Sequence, residues 1–429
     1  MKHPFACRSA EHGISRRGVM QTLLGGAAAG VGMPGMLEHA FADRVKQQRK
    51  QILFVWLDGA MSQLESWDPK PGTQFGGPFR DIQTALPGVR VSELMPNMAN
   101  RLDRFSVVRS MHTQFEDHSR AVKPIQRGDP KNRGVTYPFF GSAIAKLLGS
   151  GDSGLPPYMH IKPGSGGFMY QDAGFLGARY GALALGDGKP PANLIPPKEI
   201  TPEVNAARLS LRDRLNRRFA ERRVPDLSNA YNYTYEISQQ MMKHSDLFDP
   251  SRLDAKDIQR YGGSEFGTHM VQARRLLEAG VTFVKVTMYR WDTHGDNFNC
   301  HQDGVPQVDT ALAAMIDDLI ERGLYDHTLV VVMSEFGRTP KINGRIGRDH
   351  WPECWSMGMG GAGIKPGVIV GKTNDKGSFN DGKEYDVGHL FHTFFRAIGI
   401  DPAKTEYDNN GQPLPIAHDD HHPIEELLA

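Results

Sequence analysis

Apolar and polar positions along this chain follow two different periods. Gln51-Ile52-Leu53-Phe54-Val55-Trp56-Leu57 is an apolar run closed by Asp58-Gly59. A run apolar on both faces predicts a central strand of a parallel sheet. Helical spacing follows Ser264, which is placed to N-cap a helix with apolar positions Phe266, Met270, Ala273 and Leu277, stopped by Gly280. A strand is predicted over Val281–Thr287. Val308, Leu312, Met315, Ile316 and Leu319 mark a second helix ending at Gly323, and Thr328–Met333 reads as another strand. Helix, strand, helix and strand with short joints predict a mostly parallel sheet with helices on its faces. No internal repeat and no dividing linker is visible.

Between Gly149 and Pro197 the pattern breaks. This stretch is rich in Gly and Pro, including Pro163-Gly164-Ser165-Gly166-Gly167, and reads as a loop-rich insertion around residues 149–200 bordering a substrate mouth. Thr201-Pro202-Glu203 then opens a helix, with Thr as N-cap and Pro in the first turn. Its apolar stripe is Ala207, Leu211, Leu215 and Phe219. The basic run Arg212, Arg214, Arg217, Arg218, Arg222 and Arg223 reads as a solvated face.

The first 42 residues follow other rules. Ser15-Arg16-Arg17-Gly18-Val19-Met20 precedes a Gly/Ala-rich apolar segment, Leu23 to Met33, and Ala40-Phe41-Ala42 supplies a small-x-small cleavage site. Paired arginines in this setting resemble a twin-arginine export signal, with the export machinery as partner and a periplasmic or extracellular destination. The mature chain then starts near Asp43 and forms one domain over residues 43–429. The apolar segment is too short and glycine-rich to span a bilayer stably. Removing four basic and two acidic residues from totals of 50 and 49 leaves 46 against 47. That near-neutral balance offers nothing to attract nucleic acid. Cys7 leaves with the signal, and Cys300 and Cys354 either pair in an oxidising compartment or stay as two thiols; their spacing does not decide.

Chemistry gathers at the predicted strand ends, where open α/β sheets bind ligands. The first strand ends at Asp58. The second leads through Trp291 into Asp292-Thr293-His294-Gly295-Asp296, and the third ends at Ser334-Glu335-Phe336-Gly337-Arg338, with Arg348-Asp349-His350-Trp351 shortly after. An extended Asp292-x-His294 directs both side chains to one side. Carboxylates gathered this way repel unless a cation joins them. A divalent metal resolves the conflict and supplies a Lewis acid. Mixed Asp/Glu/His ligation suits Zn or Mn, and an oxygen-heavier set suits Ca or Mg.

Ordered matches then run through the whole mature chain. They include Phe54-Val55-Trp56-Leu57-Asp58-Gly59-Ala60-Met61-Ser62-Gln63, Trp67-Asp68-Pro69-Lys70-Pro71, Arg109-Ser110-Met111-His112-Thr113 and His118-Ser119-Arg120-Ala121. Gly174-Phe175-Leu176-Gly177-Ala178, Trp291-Asp292-Thr293-His294, Ser334 to Pro340, Asp349-His350-Trp351 and Val387-Gly388-His389-Leu390-Phe391-His392-Thr393 continue the set. On these the chain resembles the sulfatase-like family catalogued as domain of unknown function 1501, within the alkaline phosphatase superfamily. The resemblance implies a three-layer α/β/α alkaline-phosphatase-like fold with a mostly parallel central sheet.

The resemblance also implies a metal set. Asp58 stands where the first-strand ligand belongs, and Asp292 where the middle-strand ligand belongs, with His294 or Asp296 as its partner. Glu335 replaces an Asp, and His350 matches a later ligand histidine. Phe336 occupies the place usually held by His, so a complete two-metal site is in doubt; one metal, or a rearranged pair using His294, His118 or His301, is the alternative. No C/S-x-P-x-R segment is present, which argues against a formylglycine sulfatase. In the corresponding region, Thr113 and Ser119 are candidate nucleophiles, His118 a ligand or general acid, and Arg109 or Arg120 an anion clamp. Arg338 is the candidate for neutralising a sulfuryl or phosphoryl oxygen, with an ion pair to Glu335 or Asp349 as its other role. The expected function is an exported, metal-dependent hydrolase of sulfate or phosphate esters, on small molecules or carbohydrates. A non-catalytic metal- or ligand-binding protein of the same fold, or a phosphodiesterase or phosphatase rather than a sulfatase, is the alternative.

Overall fold

The computed structural model describes residues 50–429, apart from 130–133, 163–172, 187, 189–193, 195–196, 198 and 221–224. The expected export segment, the Pro163–Gly167 stretch, Arg222 and Arg223 therefore lie outside the described residues.

Eight runs form one sheet: β1 (Gln51–Leu57), β2 (Phe105–Met111), β3 (Tyr158–Ile161), β4 (Leu183–Leu185), β5 (Phe283–Met288), β6 (Thr328–Met333), β7 (Trp355–Gly361) and β8 (Ile369–Val370). Their order is β8-β2-β7-β6-β1-β5-β3-β4. β7 runs antiparallel to β2 and β6, and the other pairings within the sheet are parallel. β1 is central and buried at every position. Val55 sits opposite Val286 on one side and Val332 on the other.

The helices that matter are α1 (His118–Arg127), α2 (Phe140–Leu148), α3 (Pro202–Ala220), α4 (Pro225–Lys243), α5 (Glu265–Glu278), α6 (Asn297–Glu321) and α7 (Val387–Ala397). Strand periodicity splits β1 between two cores. Leu53, Val55 and Leu57 join α5 and α6 through Met270, Leu277, Leu312 and Ile316. Ile52, Phe54 and Trp56 join α2 and α7 through Phe140, Ile144, Phe391 and Phe394. The result is a three-layer α/β/α arrangement around a mostly parallel sheet. Among the described residues, no helix is long and apolar enough to cross a membrane.

Several boundaries depart from the sequence expectation for identifiable reasons. Ser264 caps α5 by accepting from Gly267 N at 3.0 Å. After Gly280, the Val281 N–H returns to Leu276 O at 3.0 Å. That Schellman-type closure delays the strand to Phe283. α6 starts at Asn297, well before Val308, because its first turns bury the polar Asn297 and His301. The loop-rich insertion contains two strands: β4 is the sheet edge, and β3 lies between it and β5.

The expected core stripe of α3 is corrected. Thr201 Oγ1 does accept from Val204 N at 3.3 Å. Leu211 and Leu215, however, are 50% and 56% exposed. α3 packs by its polar side: Asn216 Nδ2 donates to Asn232 Oδ1 at 2.7 Å, and the Arg212 guanidinium lies 4.3 Å from the Tyr235 ring centre. Arg214, Arg217 and Arg218 are exposed, as a solvated face requires.

Candidate metal centre

The carboxyl ends of β1, β5 and β6 lie at one edge of the sheet because those strands are parallel. They deliver Asp58, the Asp292–His294 turn and Ser334-Glu335 to that edge. α1 joins them: Asp117 accepts from Arg120 N at 3.1 Å and caps the helix, which puts His118 at its first position. The loop bearing His350 is anchored from below. Arg348 and Glu65, both fully buried, pair at 2.8 Å, and Arg348 also donates to the carbonyls of Phe75, Thr339 and Pro340.

Three donor groups from these separate segments converge. Donor atoms of His118, Asp292 and His350 all lie within 4.8 Å of one another. Asp292 Oδ1 is 3.3 Å from His118 Nε2 and 3.1 Å from His350 Nε2. His294 adjoins them, its Nε2 lying 3.2 Å from Asp292 Oδ1 and 2.9 Å from His350 Nε2.

The outer nitrogens explain the orientation. His118 Nδ1 donates to Glu335 Oε1 at 2.6 Å, His294 Nδ1 to Asp349 Oδ1 at 2.7 Å, and His350 Nδ1 to the Glu116 carbonyl at 2.5 Å. An imidazole that donates from Nδ1 carries its lone pair on Nε2 when neutral. Three such lone pairs therefore surround a carboxylate oxygen, and only a proton or a metal ion relieves that arrangement. A carboxylate or carbonyl behind each ligand histidine is also the usual support of metal-binding imidazoles. Glu335 Oε2 adds a buried carboxylate oxygen without a hydrogen-bond partner. The residues fit a divalent ion.

Protonation follows the same geometry. Burial lowers the pKa of His118, but its bonds to Asp292 and Glu335 outweigh that and push it up to about 9. Burial raises Asp292, yet His118, His350 and Arg338 hold it far below the usual carboxylate range. Burial, then the neighbouring Glu335, pushes Asp58 up to about 6. Asp58 also accepts from Trp56 Nε1 at 3.0 Å.

Other expected site residues take different places. Glu335 acts on His118 through Oε1, which also accepts from Gly59 N at 3.1 Å. Asp296 accepts from Asn299 Nδ2 at 2.6 Å and stands before α6 in a left-handed conformation. That turn directs it to its own helix rather than to Asp292. Arg338 is fully buried and spends its donors on the carbonyls of Gly59, Ala60 and Arg348 and on Asp292 Oδ1, the last at 2.7 Å. It positions Asp292 and does not reach out to an anion, and its acidic partner is neither Glu335 nor Asp349.

The hydroxyls are also committed. Thr113 Oγ1 donates to the Glu335 carbonyl at 3.0 Å and accepts from Trp355 Nε1 at 2.9 Å. Ser119 Oγ donates to Asp117 Oδ1 at 2.5 Å. Arg109 donates to the carbonyl of Arg90, which opens the short strand Arg90–Ser92, at 2.7 Å and lies 3.6 Å from Asp68 Oδ1, while Arg120 stacks over Phe115 at 4.3 Å. His301 is a structural histidine: Nδ1 donates to the Asn297 carbonyl at 2.8 Å and Nε2 accepts from Ser62 N at 2.9 Å. Phe336 is buried, with its ring centre 4.9 Å from that of His118 and 4.6 Å from that of His350. It forms a wall where the resemblance expects a ligand. Cys300 and Cys354 are both free thiols.

One participant was missed in the sequence. Lys285 lies in the middle of β5, fully enclosed, with Nζ 2.7 Å from Gln126 Oε1. Burial pushes it down to about 7, although Asp58 and Glu335 pull the other way. A lysine inside an otherwise apolar strand was the available signal.

Residues 49–428 match the model of a family described as "Protein of unknown function (DUF1501)". No curated protein matches the chain. Among solved structures, the PsFucS1 sulfatase from Pseudoalteromonas sp. is similar at 12% identity and a TM-score of 0.36, over 86% of this chain and 72% of that one. A protein in the alkaline phosphatase superfamily from Vibrio parahaemolyticus is similar at 11% identity and a TM-score of 0.39, over 84% and 75%. The lipoteichoic acid synthase LtaP from Listeria monocytogenes is similar at 8% identity and a TM-score of 0.34, over 88% and 81%.

Proposed function

The chain belongs to the DUF1501 family, and from that premise we propose that it is an exported, metal-dependent hydrolase of sulfate or phosphate esters, on small molecules or carbohydrates. The observation that carries this reading is the convergence of His118, His294 and His350 Nε2 on Asp292 Oδ1, with each Nδ1 held from behind. Imidazole-rich ligation with one carboxylate favours Zn or Mn over Ca or Mg. A bound ion of this class supplies Lewis acidity to an ester oxygen. The protein's own residues do the remaining work. Glu335 and Asp349 fix the tautomers of His118 and His294, Arg338 holds Asp292, and Phe336 keeps water from one wall. The twin-arginine segment supports export to the periplasm or beyond.

The committed hydroxyls of Thr113 and Ser119 favour water as the attacking group. The same two observations, with Phe336 in a ligand's place, also keep open a non-catalytic metal-binding role. Purified protein supplied with Zn or Mn should retain the ion and turn over at least one of an aryl sulfate, an aryl phosphate or a phosphodiester. Asp292→Ala should abolish that turnover. Ion retention that His118→Ala/His350→Ala reduces, without turnover on any of the three, selects the binding role, and equal rates in wild type and Asp292→Ala would sink the hydrolase.

A further inference from the structure

A second cluster of ligand-type side chains lies outside this centre. Asp386 caps α7, accepting from Gly388 N at 3.0 Å, and forms a capping box with His389. That box needs only two side chains. A third, His421, arrives from the C-terminal segment, and donor atoms of Asp386, His389 and His421 all lie within 4.8 Å of one another. His389 Nδ1 is 2.8 Å from Asp386 Oδ1, and His421 Nε2 is 3.1 Å from Asp386 Oδ2.

The fold makes room for the third group. A Cβ on residue 388 would lie 2.5 Å from the His421 ring, so glycine there is what admits the imidazole. His421 also repeats the pattern of the first centre. Its Nδ1 donates to Asp420 Oδ1 at 2.9 Å while Nε2 faces an aspartate, as in His118 and His294. The ring centre of His422 lies 5.0 Å from that of His389 at the rim. Donor atoms around a tetrahedral zinc ion stand about 3.3 Å apart, given zinc–ligand bonds of roughly 2.0–2.1 Å. His389 Nδ1 and His421 Nε2 stand 2.8 and 3.1 Å from the two Asp386 oxygens, near that spacing, and the three donor atoms fit within 4.8 Å.

We propose that Asp386, His389 and His421 bind a divalent transition-metal ion that ties the C-terminal segment to the start of α7. Two imidazoles and a carboxylate select Zn-like ions over Ca or Mg. The positive end of α7 opposes a cation there, but it amounts to roughly half an elementary charge. Asp386 and Asp420 bring two full negative charges against it. The imidazoles must be neutral to bind, and His389 Nδ1, which accepts from Asp386 N at 3.2 Å in the capping box, exchanges that bond for the ion.

Zinc binding by the full-length protein, stripped with chelator, tests this. His421→Asn keeps a hydrogen-bonding group beside Asp420 but removes the Nε2 donor that faces Asp386, and should lower stoichiometry by one ion per chain. His118→Ala/His350→Ala should remove a different ion, so failure of the first centre is distinguishable from failure of this one. Asp420→Asn, which leaves all three donors in place, should weaken the second ion about 10- to 100-fold. Anomalous scattering at the zinc edge from wild-type crystals should give a peak between Asp386, His389 and His421, whatever the variants do. Unchanged stoichiometry in His421→Asn, or no peak at that position in zinc-soaked crystals, would overturn the proposal.

Discussion

His118 Nδ1 lies 2.6 Å from Glu335 Oε1, while Nε2 of the same ring faces Asp292 Oδ1 at 3.3 Å. One imidazole thus joins a fully buried carboxylate to a half-exposed one. Glu335 acts on the centre through this ring. Glu335→Gln keeps the shape and removes the charge that orients and strengthens His118. Metal affinity is expected to fall about 10- to 100-fold, the usual cost of losing such a partner. Isothermal titration with Zn checks it, and an unchanged affinity would show that Glu335 does not support the ligand.

Gly59 is held at φ +98°, and a Cβ there would come 2.6 Å from Asp292 N. Both the backbone conformation and the contact exclude a side chain. Gly59→Ala is expected to destabilise the fold by about 1–3 kcal/mol. Because the displaced atom belongs to Asp292, metal affinity should drop as well. Urea unfolding and metal titration of the same sample separate the two effects; a variant with wild-type values in both would contradict this role.

Arg348 and Glu65 are 0% exposed and pair at 2.8 Å. Removing one partner strands the other charge in the interior. Arg348→Ala should therefore cost about 3–5 kcal/mol. Replacing both with apolar residues should cost less than either single change, because neither charge is left alone. Their denaturant midpoints test this ordering. The double variant should still lose metal affinity, since the bonds that hold the His350 loop are gone.

The sheet was readable because its signals are local. Leu329–Met333 is uninterruptedly apolar, and Ser264 announces its helix by a single side chain. The candidate cluster is only partly legible for the opposite reason. Asp292, His294 and His350 stand beside predicted strand ends, but Glu335 and Arg338 stand there too, and spacing cannot say which side chains turn inward. Arg338 is spent on Gly59, Ala60 and Arg348 carbonyls, the first two of which lie more than 270 residues away in sequence. The resemblance leaves His118 as ligand or acid, and spacing cannot choose, because its two nitrogens face groups 174 and 217 positions away along the chain. The Leu211 and Leu215 stripe misled because helical periodicity reports an amphipathic surface, not which surface is covered.

Lys285 offers a pH-dependent test that does not depend on metal. Its pKa is lowered from the ordinary 10.5 to about 7, mainly by burial. Above both values the amine is neutral in the folded and unfolded states, and it adds no pH dependence. Between about pH 10.5 and 7 the unfolded chain takes up a proton that the folded chain refuses. Stability therefore falls as pH drops through that window, by up to about 1.4 kcal/mol per unit. Below about pH 7 the folded lysine is charged too, and the loss stops growing. Wild type should accordingly gain stability from pH 7.5 to 9.5, and Lys285→Met should lack that part of the gain. Comparing the two slopes cancels the other titrating groups and the lost bond to Gln126. Parallel stability profiles for the two proteins would mean that Lys285 stays charged in the core, held by Asp58 and Glu335.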